Sequence, residues 1–138
     1  MNLLGKEVLI IGLGISGLST IKALNNLGAN ISVMDSKNEE DLKDILTNIQ
    51  DISIKKYFGT NIIDLNKVDL IVKSPGVPPN AEIIQKARKN NIEIITDIEL
   101  AFRLSPTEKI ITITGTNGKT TTTTLVGEIL KRAKFSTY

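Results

Sequence analysis

The chain has 138 residues, 41% of them hydrophobic and 23% charged, with a mean hydropathy of +0.04; this balance excludes a disordered tail or a membrane protein and fits about one globular domain. It contains neither cysteine nor histidine, so disulfides, thiol nucleophiles, imidazole bases and Cys/His zinc sites are excluded. Residues 1–97 carry 11 basic and 12 acidic side chains and residues 98–138 carry 6 and 3, a surplus too small for a nucleic-acid surface but suited to one phosphate-bearing ligand.

The N-terminal VLIIGLGI is too short and glycine-broken to span a membrane and has no cleavage site behind it, so a cytoplasmic protein is expected. Val8–Gly12 reads as a buried strand. Leu18, Ile21, Leu24 and Leu27 then follow helical spacing up to Gly28, predicting a helix over 15–27. Ile31–Asp35 is the second predicted strand. Ser36 with Glu39 forms a capping-box pattern ahead of Leu42, Ile45, Leu46 and Ile49, predicting a second helix.

Ile52–Tyr57 and Asp69–Ser74 read as further strands, the latter closing in a Pro75-Gly76 turn, and Asn80 is placed to cap a helix reaching about Asn90. Ile92–Thr96 is the fifth strand, and Thr96 with Glu99 predicts a capped helix to Leu104. Strands alternating with helices at these lengths predict an α/β fold, a Rossmann-like parallel sheet with helices on both faces. Residues 1–96 would form that domain, with 97–108 as connecting helix and linker. Residues 109–138 add a strand (Ile110–Thr114), a glycine-rich loop and a helix bearing Leu125, Val126, Ile129 and Leu130. About thirty residues of this kind do not bury a core, so they are expected to open a second α/β domain with its strand, P-loop and helix.

Two turns have the composition of phosphate sites. In GLGISG, Gly12 permits a tight turn, Gly14 permits close approach of backbone to a diphosphate, and Gly17 permits close helix packing, with the helix N-terminus attracting the anion. Asp35, at the end of the second strand, is placed to bond a ribose or base edge. Ser16 is either a phosphate donor or a first-turn residue bonding its own backbone, and Ser36 is either an N-cap or a ligand. Asp97 and Glu99 read as helix-dipole partners, Lys73 as solvated, and Gly76 as a point of ligand approach.

The second turn is TGTNGKTT, residues 114–121. Its glycine amides can surround phosphate oxygens, Lys119 can neutralise phosphate charge, and the Thr120 hydroxyl can coordinate Mg²⁺. Ile113 stands five residues before Gly118, so the loop is shorter than GxxxxGKT. A stand-alone NAD- or nucleotide-binding Rossmann module is the competing reading, and this second loop argues against it.

GLGISG followed by MDS, then VKSPGVP, DIELAFR and ITGTNGKTTTTTLVGEIL, in this order and over the whole chain, resemble the Mur ligases of peptidoglycan synthesis. DIEL and Asn117 are similar to the branch of that family that adds D-glutamate to UDP-N-acetylmuramoyl-L-alanine. The resemblance implies that Ile15 and Ser16, beside Gly14, meet the diphosphate, Asp35 and Ser36 the uracil, and Gly76 the sugar-proximal part. It implies that Gly115, Thr116, Asn117, Gly118, Lys119, Thr120 and Thr121 bind ATP, with Thr120 on Mg²⁺ and Lys119 as catalytic residue. The family's central-domain metal ligands, modified lysine and C-terminal domain do not occur in these residues, so the chain alone is expected to be inactive, with no nucleic-acid or membrane partner. Residues 109–138 are expected to be its least stable part or to self-associate.

Overall fold

The computed structural model describes residues 1–60 and 62–137, which divide into two compact units, Met1–Ser105 and Pro106–Tyr138. The first unit is built on five parallel strands: β1 (Glu7–Ile11), β2 (Asn30–Asp35), β3 (Ile54–Phe58), β4 (Leu70–Lys73) and β5 (Glu93–Thr96), in the order β3-β2-β1-β4-β5. Val8 of β1 pairs with Ile31 on one side and Leu70 on the other. Because side chains alternate across a strand, Val8 and Ile10 face one core with Ile31, Val33, Leu70 and Val72. Leu9 and Ile11 face the other core with Met34 and Ile71.

Helices cover both faces, as parallel crossovers require. Helix α1 (Ile15–Asn26) contributes Ile21 and Leu24, and α4 (Asp97–Leu104) contributes Leu100, to the first core; α3 (Glu82–Lys89) contributes Ile83, Ile84 and Ala87 to the second. A short helix α2 (Lys43–Thr47), led in by a 3-10 turn at Glu40–Leu42, precedes β3. α4 begins as expected, with Thr96 Oγ1 accepting from the Glu99 N–H at 3.1 Å.

Two predicted caps fail. Ser36 caps nothing: the 3-10 turn starts at Glu40 with no side-chain cap, and Asp35 takes the nearby Lys37 amide instead. Asn80 is also displaced, since α3 is preceded by Ala81 and Gln85 Nε2 donates to the Asn80 carbonyl.

In the second unit the expected strand Ile110–Thr114 is not formed. A strand exists through ladder bonds to a neighbour, and none of the ladders among the described residues includes these positions. Helix α5 (Lys119–Arg132) does form, with none of its residues buried.

Candidate functional site

The chain leaves β1 towards β2 and later returns on the other side at β4, so the connections after β1 and β4 diverge and leave a crevice at the carboxyl ends of the strands. The GLGISG turn forms its floor. Gly12 has φ +92°, and a Cβ there would lie 3.0 Å from the Ser74 Cβ, so this position requires glycine. Gly14 is the N-cap of α1, with no side-chain cap and nothing within 4 Å of where its Cβ would stand. The first-turn amides of α1 are therefore available to an anion. Ile15 is 88% exposed. The half-buried Ser16 hydroxyl has no hydrogen-bond partner among the described residues, so its backbone-bonding alternative is not realised; the Ser19 hydroxyl donates to the Ile15 carbonyl instead.

Asp35 joins the turns after β1 and β2. Its Oδ2 accepts from the Leu13 N–H at 2.7 Å and its Oδ1 from the Lys37 N–H at 2.9 Å, while its carbonyl accepts from Gly59 N–H at 3.0 Å. Each carboxylate oxygen keeps a further lone pair, which is what remains for a ligand. Ser36 is exposed and beside it.

The turn after β4 closes the crevice. The Ser74 N–H donates to the Ile11 carbonyl at 2.9 Å, and its Oγ donates to the Gly12 carbonyl at 3.1 Å. Gly76 is exposed, with nothing within 4 Å of a Cβ position. Lys73, read as solvated, is half-buried and donates to the Val77 carbonyl at 3.0 Å. Sequence reasoning missed Ser74 altogether; the signal was its place between a strand end and Pro75-Gly76. Gly14, Ile15, Ser16, Asp35, Ser36 and Gly76 thus lie on the three turns that border one crevice. Asp97 and Glu99 serve α4, Asp97 accepting from the Ile98 N–H and Glu99 pairing with Arg103. Glu93 and Glu99 together raise the Arg103 pKa, the Glu93 hydrogen bond being the larger cause.

A cleft of about 490 Å³ elsewhere, bordered by Lys43, Leu46, Ile54 and Lys56, shares no residue with these turns. No glycine lines it, and the glycine-rich turns of the crevice allow the closer approach of backbone to a ligand.

The second unit presents the loop 114–121. Gly118 is left-handed (φ +78°) at the N-cap of α5, again without a side-chain cap. Lys119 Nζ folds back onto the Gly115 and Thr116 carbonyls. The threonine run divides: Thr123 and Thr124 hydroxyls donate to the Lys119 and Thr120 carbonyls, whereas Thr120 and Thr121 hydroxyls have no partner among the described residues. The reason is positional, since the residues four before Thr120 and Thr121 precede the helix.

The family description "Mur ligase MurD-like, N-terminal domain" matches residues 6–96. UDP-N-acetylmuramoylalanine--D-glutamate ligase of Clostridioides difficile (strain 630) is 50% identical over the whole of this chain and 31% of its own length. The ligases of the same name from Alkaliphilus oremlandii (strain OhILAs) and Alkaliphilus metalliredigens (strain QYMF) are 49% and 46% identical, over 96% and 100% of this chain and 30% and 31% of theirs. The chain therefore spans about a third of the length of these relatives. Among solved structures, SirC, precorrin-2 dehydrogenase, superposes with a TM-score of 0.49 at 18% identity over 96% of this chain and 68% of that chain, a likeness too distant to bear on the ligand. The family match takes in the strands and turns that build the crevice, and the relatives extend the likeness through the second loop: the chain belongs to the MurD-like Mur ligases.

Proposed function

We propose that this chain supplies the nucleotide-substrate domain and the phosphate loop of an ATP-dependent ligase that joins D-glutamate to UDP-N-acetylmuramoyl-L-alanine in peptidoglycan synthesis. One observation carries the reading: two separate glycine-rich turns each lead into a helix N-terminus without a side-chain cap, and each has beside it hydroxyls without a hydrogen-bond partner among the described residues, Ser16 at one and Thr120 and Thr121 at the other. In this reading residues 1–96 hold the UDP moiety, 97–108 connect, and 109–138 open the ATPase domain.

In the crevice, the α1 amides and Ser16 receive the diphosphate, Ile15 covers it, Asp35 and Ser36 accept and donate at the uracil, and the Gly76 backbone meets the sugar-proximal part. In the second loop, the amides of Gly115–Thr121 and the Lys119 cation surround the ATP phosphates. The loop residues fit a magnesium ion: the Thr120 hydroxyl has no partner among the described residues, and Mg²⁺ characteristically takes one or two protein oxygens with phosphate and water for the rest. When bound, the ion neutralises phosphate charge. The reaction moves the γ-phosphoryl group to the substrate carboxylate, and the amine of D-glutamate then displaces phosphate to leave an amide. Positioning and charge neutralisation carry such a transfer, so the absence of histidine from these residues is compatible with the loop's part in it. The setting is the cytoplasm; no helix among the described residues is long and apolar enough to cross a membrane.

Titration of the 138-residue protein with UDP and with NAD, followed by amide shifts, tests the reading. UDP moves the signals of residues 12–17, 35–37 and 74–77, and NAD does not compete. NAD binding tighter than UDP overturns it.

A further inference from the structure

Lys73 is out of character with its strand. β4 lies between β1 and β5, and interior parallel strands are apolar because helices cover both faces. Leu70, Ile71 and Val72 comply, at 2%, 0% and 1% exposure. Lys73 pairs in register with Ile11 on one side and Thr96 on the other, and it lines a small cleft with Ile84 and Arg88 of α3 and Glu99 of α4, whose carboxylate pairs with Arg103. Half-buried there, it has no carboxylate within ion-pair distance among the described residues.

What it has instead is the turn above it. Nζ donates to the Val77 carbonyl at 3.0 Å and, more loosely, to the Ser74 carbonyl at 3.4 Å, on either side of Pro75 and Gly76. The turn's own bond, from the Val77 N–H to the Ser74 carbonyl at 3.0 Å, lies inside this bracket. Ser74 in turn is fastened to Ile11 and Gly12. One cation therefore holds the 74–77 turn in register with the glycine-rich turn across the crevice. Desolvating a cation without an anion is unfavourable, so stability alone does not account for lysine at this position.

We propose that Lys73 is a positioning residue for the nucleotide-sugar ligand: it sets the 74–77 turn so that Gly76 faces the sugar-proximal part, and it brings to that side of the crevice a positive charge that forms no ion pair among the described residues. This rests on the reading of the crevice as the UDP-substrate site.

The test compares Lys73→Met and Lys73→Arg with the unsubstituted chain in calorimetric titrations with UDP-N-acetylmuramoyl-L-alanine, amide-shift titrations with uridine, and thermal melts. Lys73→Met is expected to bind the nucleotide sugar about tenfold more weakly, the size of one lost charge-assisted hydrogen bond. It should bind uridine unchanged and melt no lower than the parent, since methionine fills the stem's volume without a charge. Lys73→Arg restores the nucleotide-sugar affinity to within about threefold. Parent-like nucleotide-sugar affinity in Lys73→Met, an equal loss for uridine, or a methionine variant that melts lower or does not fold overturns the proposal. Failure of the unsubstituted chain to bind either ligand overturns the underlying reading instead.

Discussion

Gly17 approaches Gly12 so closely that a Cβ on Gly17 would lie 2.6 Å from the Gly12 carbonyl oxygen. The contact fixes how near the first turn of α1 comes to the end of β1, and the obstacle is backbone, which has no rotamer by which to yield. Gly14, three residues earlier, meets nothing within 4 Å. Two glycines of one motif thus answer to different constraints, one internal and one external.

Gly17→Ala is accordingly expected to cost about 2 kcal/mol or more of stability, because the helix or the turn must shift. Gly14→Ala costs at most about 1 kcal/mol, the ordinary effect of alanine at an N-cap, but weakens UDP binding by placing a methyl group where the ligand approaches. Urea unfolding and calorimetry on both variants separate the effects; equal loss of stability and affinity in the two would contradict this division.

For the second loop, Lys119→Ala in a ligase of the relatives' length that carries this segment should lower ATP-dependent ligation by about 10²–10³-fold, the scale of one lost electrostatic contact to a reacting group. Binding of UDP-N-acetylmuramoyl-L-alanine should persist, because the crevice residues lie in the other unit. A variant that lost substrate binding yet kept ATP hydrolysis would reverse the assignment of the two loops.

Acid stability has an identifiable contributor at the opposite end of the sheet. The Asp69 carboxylate is held below its ordinary value of 3.8, first by the Glu7 N–H at 2.9 Å and then by Lys6 Nζ at 3.1 Å. A depressed folded-state pKa stabilises the fold above the unfolded value, and that contribution is lost as pH falls through the folded value. Asp69→Asn should therefore flatten the dependence of the urea midpoint on pH below about 4. The effect is small, since the side chain is 41% exposed and screened by solvent. An unchanged slope would remove Asp69 from the account.

The sheet was legible because buried parallel strands write themselves as short apolar runs, and the VLII of β1 and the LIV of β4 do so. The caps were less so. A Ser36 cap would need a helix beginning at Lys37, but the chain there is held by Asp35, which accepts from Leu13 and Lys37, and the 3-10 turn begins only at Glu40; a local pattern cannot register a partner 22 residues away. Asn80 follows two prolines, and the helix starts one residue later than its pattern suggests. Ile110–Thr114 has strand composition, but composition does not supply the neighbour on which a strand depends. Gly14 and Gly76 could be named from spacing, because a glycine at a strand end marks a point where backbone can approach a ligand; spacing left Ser16 open between two uses, and Ile15 entered only through the family resemblance. The engagement of Lys73 could not, since an isolated lysine reads the same whether its head is in water or on a carbonyl.

The central place of β1 also bears on the order in which the molecule assembles. Val8 meets Ile31 along one edge and Leu70 along the other, and the second meeting closes a loop more than twice as long, at an added entropic cost of about 0.9 kcal/mol. The β1-β2-β3 half is thus the more local one and has the lower entropic barrier to forming first, with β4 and β5 docking afterwards on the edge it leaves open. Until they arrive, that edge of β1 carries the unsatisfied amides of Leu9 and Ile11 in an apolar strand, a template for intermolecular pairing. Refolding yield should then fall with protein concentration even while the native state stays soluble.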